Sequence, residues 1–180
     1  MVKKISIIIF LLILVVAGSA WAQDSESEAG QKGSADGAGT VFERFPGSLG
    51  AYINYPVGGG LTYQRWFDRV GMEATIGAIA DPSGNFNYNV QGAFQYMLYG
   101  EDFADWFSGA LYTNVFLAHA GDGYTSGDTP TYNPHFYLGL GVGIEMVVLR
   151  HLSTSVEFMY VGAYPLAIDF GFGGSLKYRF

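Results

Sequence analysis

The sequence predicts an all-β fold: an antiparallel eight-stranded transmembrane β-barrel, preceded by a cleaved signal peptide and a disordered leader. Three observations predict it. First, the closing residues alternate strictly, with Ile168, Phe170, Phe172, Gly174, Leu176, Tyr178 and Phe180 on one parity and Asp169, Gly171, Gly173, Ser175, Lys177 and Arg179 on the other. A period of two is a strand with one apolar and one polar face, and an apolar face ending on a terminal Phe suits a strand between lipid and a polar lumen. Second, residues 1–22 read as an export signal. Lys3 and Lys4 form the positive region, Ile5 to Ala17 the apolar run, and Ala20-Trp21-Ala22 the cleavage site. Third, 17% aromatic residues, 14% charged residues and 26 glycines are a poor composition for a soluble domain and a good one for a small barrel.

The signal's apolar run is too short to span a membrane, which takes about 20 residues, and no later run is longer because polar residues and glycines interrupt each one. The chain has no Cys, which excludes a lipid-anchored N-terminus, disulfides and thiolate metal sites. Cleavage would remove Lys3 and Lys4, leaving seven basic residues against sixteen acidic ones, a formal charge of −9. That balance argues against nucleic acid as a partner. Residues 23–46 follow as a leader. Gln23 to Thr40 is rich in Gly, Ser, Ala and acids and carries no aromatic residue, so it cannot bury enough surface to order itself and is expected to be disordered and periplasmic. Its glycines lack the strand and helix of a phosphate loop, and nothing else in the chain implies a cofactor.

The barrel is expected over residues 47–180. Its strands are Ser48–Tyr55, Gly59–Phe67, Val70–Ala80, Phe86–Tyr99, Trp106–Ala118, Phe136–Val148, Leu152–Val161 and the closing strand. The third sets Met72, Ala74, Ile76 and Ala78 against Glu73 and Thr75. The fourth sets Phe86, Tyr88, Val90, Phe94, Tyr96 and Leu98 against Asn87, Asn89, Gln91 and Gln95. Segments of about nine residues or more match tilted membrane-crossing strands. An even strand number places both termini on the periplasmic side. Phe67–Arg69, Gly100–Asp105 and Leu149–His151 then become periplasmic turns. Pro56–Gly58, Asp81–Asn85, Ala120–Pro134 and Gly162–Pro165 become outer connections, of which only Ala120–Pro134 is long. Trp66, Phe67, Trp106, Phe107, Tyr178 and Phe180 fall at one set of ends, and Tyr55, Phe86, Tyr88, Phe136 and Tyr137 at the other, as two aromatic girdles would. Aromatics also favour strands for their own sake.

The stretch from Leu138 through Glu145, Leu149–Ser153 and Val156–Tyr160 resembles the penultimate hairpin of small eight-stranded barrels of the OmpA/OmpX type. With the terminal Tyr178-x-Phe180 the resemblance runs from Gly47 to Phe180. It implies the architecture, a setting in outer-membrane lipid, and recognition of the C-terminal strand, ending Tyr178 and Phe180, by the barrel-assembly machinery. It implies no peptidoglycan-anchoring role, since no such domain follows the barrel.

Chemistry is concentrated on the inward parity, which holds Glu73, Gln91, Gln95, Asn114, Glu145, Glu157, Asp169, Lys177 and Arg179. An eight-stranded interior is only wide enough for side chains to fill, and an isolated buried ion is costly. Glu73, Glu145, Glu157, Lys177 and Arg179 are therefore expected to form a lumen charge cluster that plugs the barrel, with Tyr52 or Tyr112 crossing in the space left by inward glycines. The same residues could instead constrict a narrow channel for ions or small solutes. His151-Leu152-Ser153 matches the His-x-Ser of outer-membrane lipid deacylases, with Asp169 as the nearest candidate orienting acid by spacing from the C-terminus. That pair falls in a periplasmic turn, so a polar turn is the simpler reading. His119 and His135 flank the long loop near Asp122 and Asp128 without metal-ligand spacing. No Lys or Arg occurs between Arg69 and Arg150, so the outer loops carry only acids. The function expected is non-enzymatic: a structural or surface-interaction role in the outer membrane, with loop 120–134 as the place for an extracellular partner.

Overall fold

The computed structural model describes residues 39–126, 129–164 and 167–180. The signal expected at 1–22 and the leader up to residue 38 lie outside the described residues. The remainder of the expected leader is not disordered: Val41–Arg44 form a helical turn, α1. Thr40-Val-Phe-Glu43 is a helix-start sequence in which the acid reaches back, and the Thr40 N–H donates to the Glu43 carboxylate at 3.1 Å. Phe42 then gives the segment an apolar group to bury, which the preceding leader lacks.

Eight antiparallel strands close into a barrel in chain order. They are β1 (Gly47–Tyr55), β2 (Gly58–Phe67), β3 (Val70–Ala80), β4 (Phe86–Ala104), β5 (Phe107–Ser126), β6 (Thr129–Val148), β7 (Leu152–Ala163) and β8 (Ala167–Arg179). Closure runs from Ser48↔Arg179 to Tyr55↔Phe172. Phe180 seals the seam, its carbonyl accepting from Gly47 N–H at 3.0 Å and its own N–H donating back at 2.8 Å. Each ladder alternates buried polar and exposed apolar positions. Leu61, Ile76, Leu117, Leu140, Phe158 and Leu176, for example, are each half-exposed or more on the outside.

Two connections differ from expectation. Gly100–Asp105 is not a loop, because β4 continues to Ala104 through irregularities at Met97/Tyr99 and Asp102/Ala104. These bulges break the period of two that would have revealed the strand. Ala120–Pro134 is not a loop either: β5 and β6 stay paired from Phe107↔Val148 out to Ser126↔Thr129. β4 supports this hairpin as far as Phe86↔Gly123, whereas β7 leaves β6 at Tyr137↔Ala163. Beyond Phe136, whose carbonyl accepts from Tyr164 N–H at 3.1 Å, β6 pairs with β5 alone among the described residues. Polar backbone groups of one parity point to one side of a strand. Pro130 and Pro134 share the parity of Phe136 and so present no N–H to that free edge, the position where proline is tolerated.

Close approach dictates two inward glycines. A Cβ on Gly143 would lie 2.4 Å from Cζ of Tyr112, and one on Gly173 2.7 Å from the Tyr52 hydroxyl. Gly92, on the outer face, has no atom within 4 Å of such a Cβ. Gly143→Ala is therefore expected to destabilise the barrel by about 1–3 kcal/mol through overpacking. Gly92→Ala should be neutral or stabilise by up to about 1 kcal/mol through the unfolded chain. Urea midpoints in lipid vesicles check both.

Candidate functional site

The interior is layered. At the end holding Gly47 and Phe180, Val41 and Phe42 of α1 pack with Trp66, Met97, Ala110, Tyr112 and Val147. Toward the opposite, hairpin end, Val57, Phe116, Ala118, Ala120, Met159 and Val161 form a second apolar cluster. Between them lies the polar layer. Trp66, expected in a girdle, belongs to the first cluster: it is 2% exposed and meets Phe42 and Tyr112 edge-on at 6.3 and 5.9 Å. β2 carries aromatics on both parities, so its facing could not be read from hydropathy. The other parity partner, Gln64, settles it by facing inward.

The structure brings Glu73, Glu145, Lys177 and Arg179 together. Lys177 Nζ lies 3.3 Å from Glu73 and 3.8 Å from Glu145, and Arg179 Nη2 lies 2.6 Å from Glu145. Pairing of β8 with β1 and of β7 with β6 and β8 sets this register. Gln64 links the set: its carbonyl accepts from Lys177 (2.9 Å), Arg179 (3.2 Å) and Ser48 (3.1 Å), and its amide donates to Gln95 (2.8 Å) and Glu145 (3.3 Å). Arg179 Nη1 also donates to Phe45 O at 2.9 Å, and its guanidinium lies 4.8 Å from the Phe42 ring. The last residue of the cluster, Glu157, is held apart from the cations by two phenols, Tyr52 at 2.7 Å and Tyr112 at 2.6 Å. Both tyrosines cross the interior.

Asp169 keeps the inward parity, opposite the buried Val161, but does not join the charge cluster. It is exposed near the hairpin end and accepts from the Phe170 N–H at 2.8 Å. No nucleophile-and-base pair forms at His151-Leu152-Ser153 either. Ser153 Oγ donates to Glu145 inside the barrel, while His151 Nδ1 meets Arg179 O at 2.8 Å and its ring stacks on Tyr178. His119 and His135 occupy opposite faces of the hairpin, since His119↔Phe136 and Ala120↔His135 are successive pairs. His119 Nδ1 is 3.0 Å from the Tyr88 hydroxyl, and no group of potential metal ligands occurs among the described residues.

No protein-family model matches the chain, and no curated protein matches it. Among solved structures it is similar to the N-terminal β-barrel domain of Pseudomonas aeruginosa OprF, at 12% identity over 73% of this chain and 96% of that one, with a TM-score of 0.50. The fold is that of a small eight-stranded outer-membrane barrel. Neisserial surface protein A gives 11% identity over 75% of this chain and 94% of that one, TM-score 0.44. Ail, the attachment invasion locus protein of Yersinia pestis, gives 12% over 75% and 97%, TM-score 0.42.

Breaking a buried ion pair from one side leaves the partner charge uncompensated. Lys177→Met should cost about 3–5 kcal/mol, because Glu73 then has no cation, and Lys177→Met with Glu73→Gln should recover much of that loss. Denaturant unfolding followed by tryptophan fluorescence checks the coupling.

Proposed function

We propose that this protein is an integral barrel of a bacterial outer membrane, with both termini periplasmic, that acts without catalysis by presenting its β5–β6 hairpin to the surroundings of the cell. The observation that carries this reading is the contrast between a filled interior and a projecting hairpin. Two apolar clusters bracket an ion-paired layer, so a solute crossing the barrel would have to displace Phe116 and Met159, then Glu145 with its two cations, then Trp66 and Phe42 of α1. Separating that cluster without replacing its partners is costly. The narrow-channel alternative needs that separation. The hairpin needs no rearrangement, because its ladder is already complete beyond the closed wall.

The outer face supports the lipid setting, and the C-terminal strand closes the seam through Gly47 and Phe180. Recognition of Tyr178 and Phe180 by assembly machinery before closure is consistent with their exposure of 58% and 54%. The acidic, cation-free stretch between Arg69 and Arg150 disfavours an anionic partner at the hairpin.

Two measurements test the proposal. Refolded protein inserted in a planar bilayer should give no discrete conductance, and reproducible openings would move the channel reading ahead. Because the chain has no native Cys, Asn133→Cys should react with a membrane-impermeant maleimide in intact cells, and Asp68→Cys only after permeabilisation. The reverse labelling would overturn the orientation.

A further inference from the structure

Five rings cover the outer face of β4–β6 where the hairpin leaves the wall. Phe86, Tyr88 and Tyr132 are mutually 6.5, 6.2 and 6.1 Å apart at their centroids, with interplanar angles of 21°, 13° and 14°. Three rings at equal mutual spacing cannot be a column, in which the outer pair would be twice as far apart as its neighbours. Parallel rings in a triangle tile a surface instead. The strand beneath them is built for it. Phe86 lies against Gly123, where a Cβ would come 2.1 Å from its ring, and Tyr88 lies against Gly121, where the distance would be 2.9 Å. Rings from β4 and β6 thus meet over a bare stretch of β5. The Tyr88 and Tyr132 hydroxyls bond to each other, and the His119 ring continues the surface to Phe136 at 4.4 Å. Phe86, Tyr132 and Phe136 are 41%, 47% and 44% exposed.

We infer that this platform binds the neutral sugar headgroup of glycolipids in the surrounding leaflet, an inference that rests on the reading of the chain as an outer-membrane barrel. Facing decides the source. Phe86, Tyr88 and Phe136 share the outward parity of Val90, Leu138 and Leu140, so what meets them is the lipid layer around the barrel and not a solute in its mouth. Charge decides the chemistry. The platform holds no ion, and no Lys or Arg occurs from Val70 to Leu149, so a phosphate has no counter-charge there. Shape completes it. The face of an aromatic ring is negative, and the axial C–H groups of a pyranose present a flat face of opposite sign. Phenol and imidazole at the rim donate to and accept from sugar hydroxyls. A quaternary ammonium would call for rings that enclose it, whereas Phe86, Tyr88 and Tyr132 are near-parallel.

The test uses the refolded full barrel in nanodiscs of phosphatidylcholine, with and without digalactosyl diacylglycerol, read by backbone amide shifts. Gly121 and Gly123 lie beneath the rings. Gly109 lies beside Phe103 near the opposite girdle and serves as the control. The galactolipid should shift Gly121 and Gly123 severalfold more than Gly109. Tyr88→Leu/Tyr132→Leu should abolish the excess, and Tyr88→Phe/Tyr132→Phe, which keeps the tiles, should retain part of it. Equal shifts at Gly109 would reduce the cluster to an interfacial belt and overturn the proposal. So would shifts produced by soluble maltoheptaose but not by the galactolipid. Both leaflets of a nanodisc carry the lipid, so a negative result falls on the platform alone, while the orientation of the barrel is decided by maleimide labelling of cells.

Discussion

An eight-stranded barrel has an interior that side chains must fill and that cannot hold the water needed to solvate an ion. Among the described residues three carboxylates and two cations are buried inside, so they must settle one another's charge with what the wall supplies. Glu145 takes both cations, Glu73 shares Lys177, and Glu157 receives two phenol O–H groups instead. Hydrogen bonds to charged groups contribute about 1.5–3 kcal/mol each. Gln64 fits because its amide accepts from both cations through the oxygen and donates to a carboxylate through the nitrogen. The strand register follows, since a slip of one residue would turn Lys177 and Glu145 into lipid.

The apolar clusters on either side keep that layer dry. Val41 and Phe42 bring an N-terminal segment into the wall's interior, and Arg44 fastens it to Asp102 at 2.7 Å. The same Asp102 accepts from the Val41 N–H at 3.0 Å, so one carboxylate serves as both ion-pair partner and helix cap. In this closed, braced wall the ion-paired layer and the two apolar clusters fill the centre. At the rim, β5 and β6 extend beyond their neighbours.

Much of the architecture could be read from alternation alone, because the barrel's two solvents differ as sharply as its two parities. Glu73, Glu145, Lys177 and Arg179 were legible as a cluster for that reason. What escaped had no such contrast. Trp66 sits on a strand with aromatics on both faces, so only the facing of Gln64 reveals it. The β4 bulges reset the parity between Met97 and Tyr99. In the β5–β6 hairpin, Gly121, Gly123, Pro130 and Pro134 have the composition of a loop, although their register is that of a ribbon. The helical turn at Val41 was announced by Thr40 and Glu43, but a single turn gives no periodicity to find.

A long ribbon with one open side is a hazard, since bare backbone invites a further strand and neighbouring barrels in a crowded membrane carry the same ribbon. Pro130 and Pro134 remove every second donor from that side of β6. The hairpin can therefore reach far from the wall without becoming a seed for assembly, and whatever it meets it must recognise through side chains.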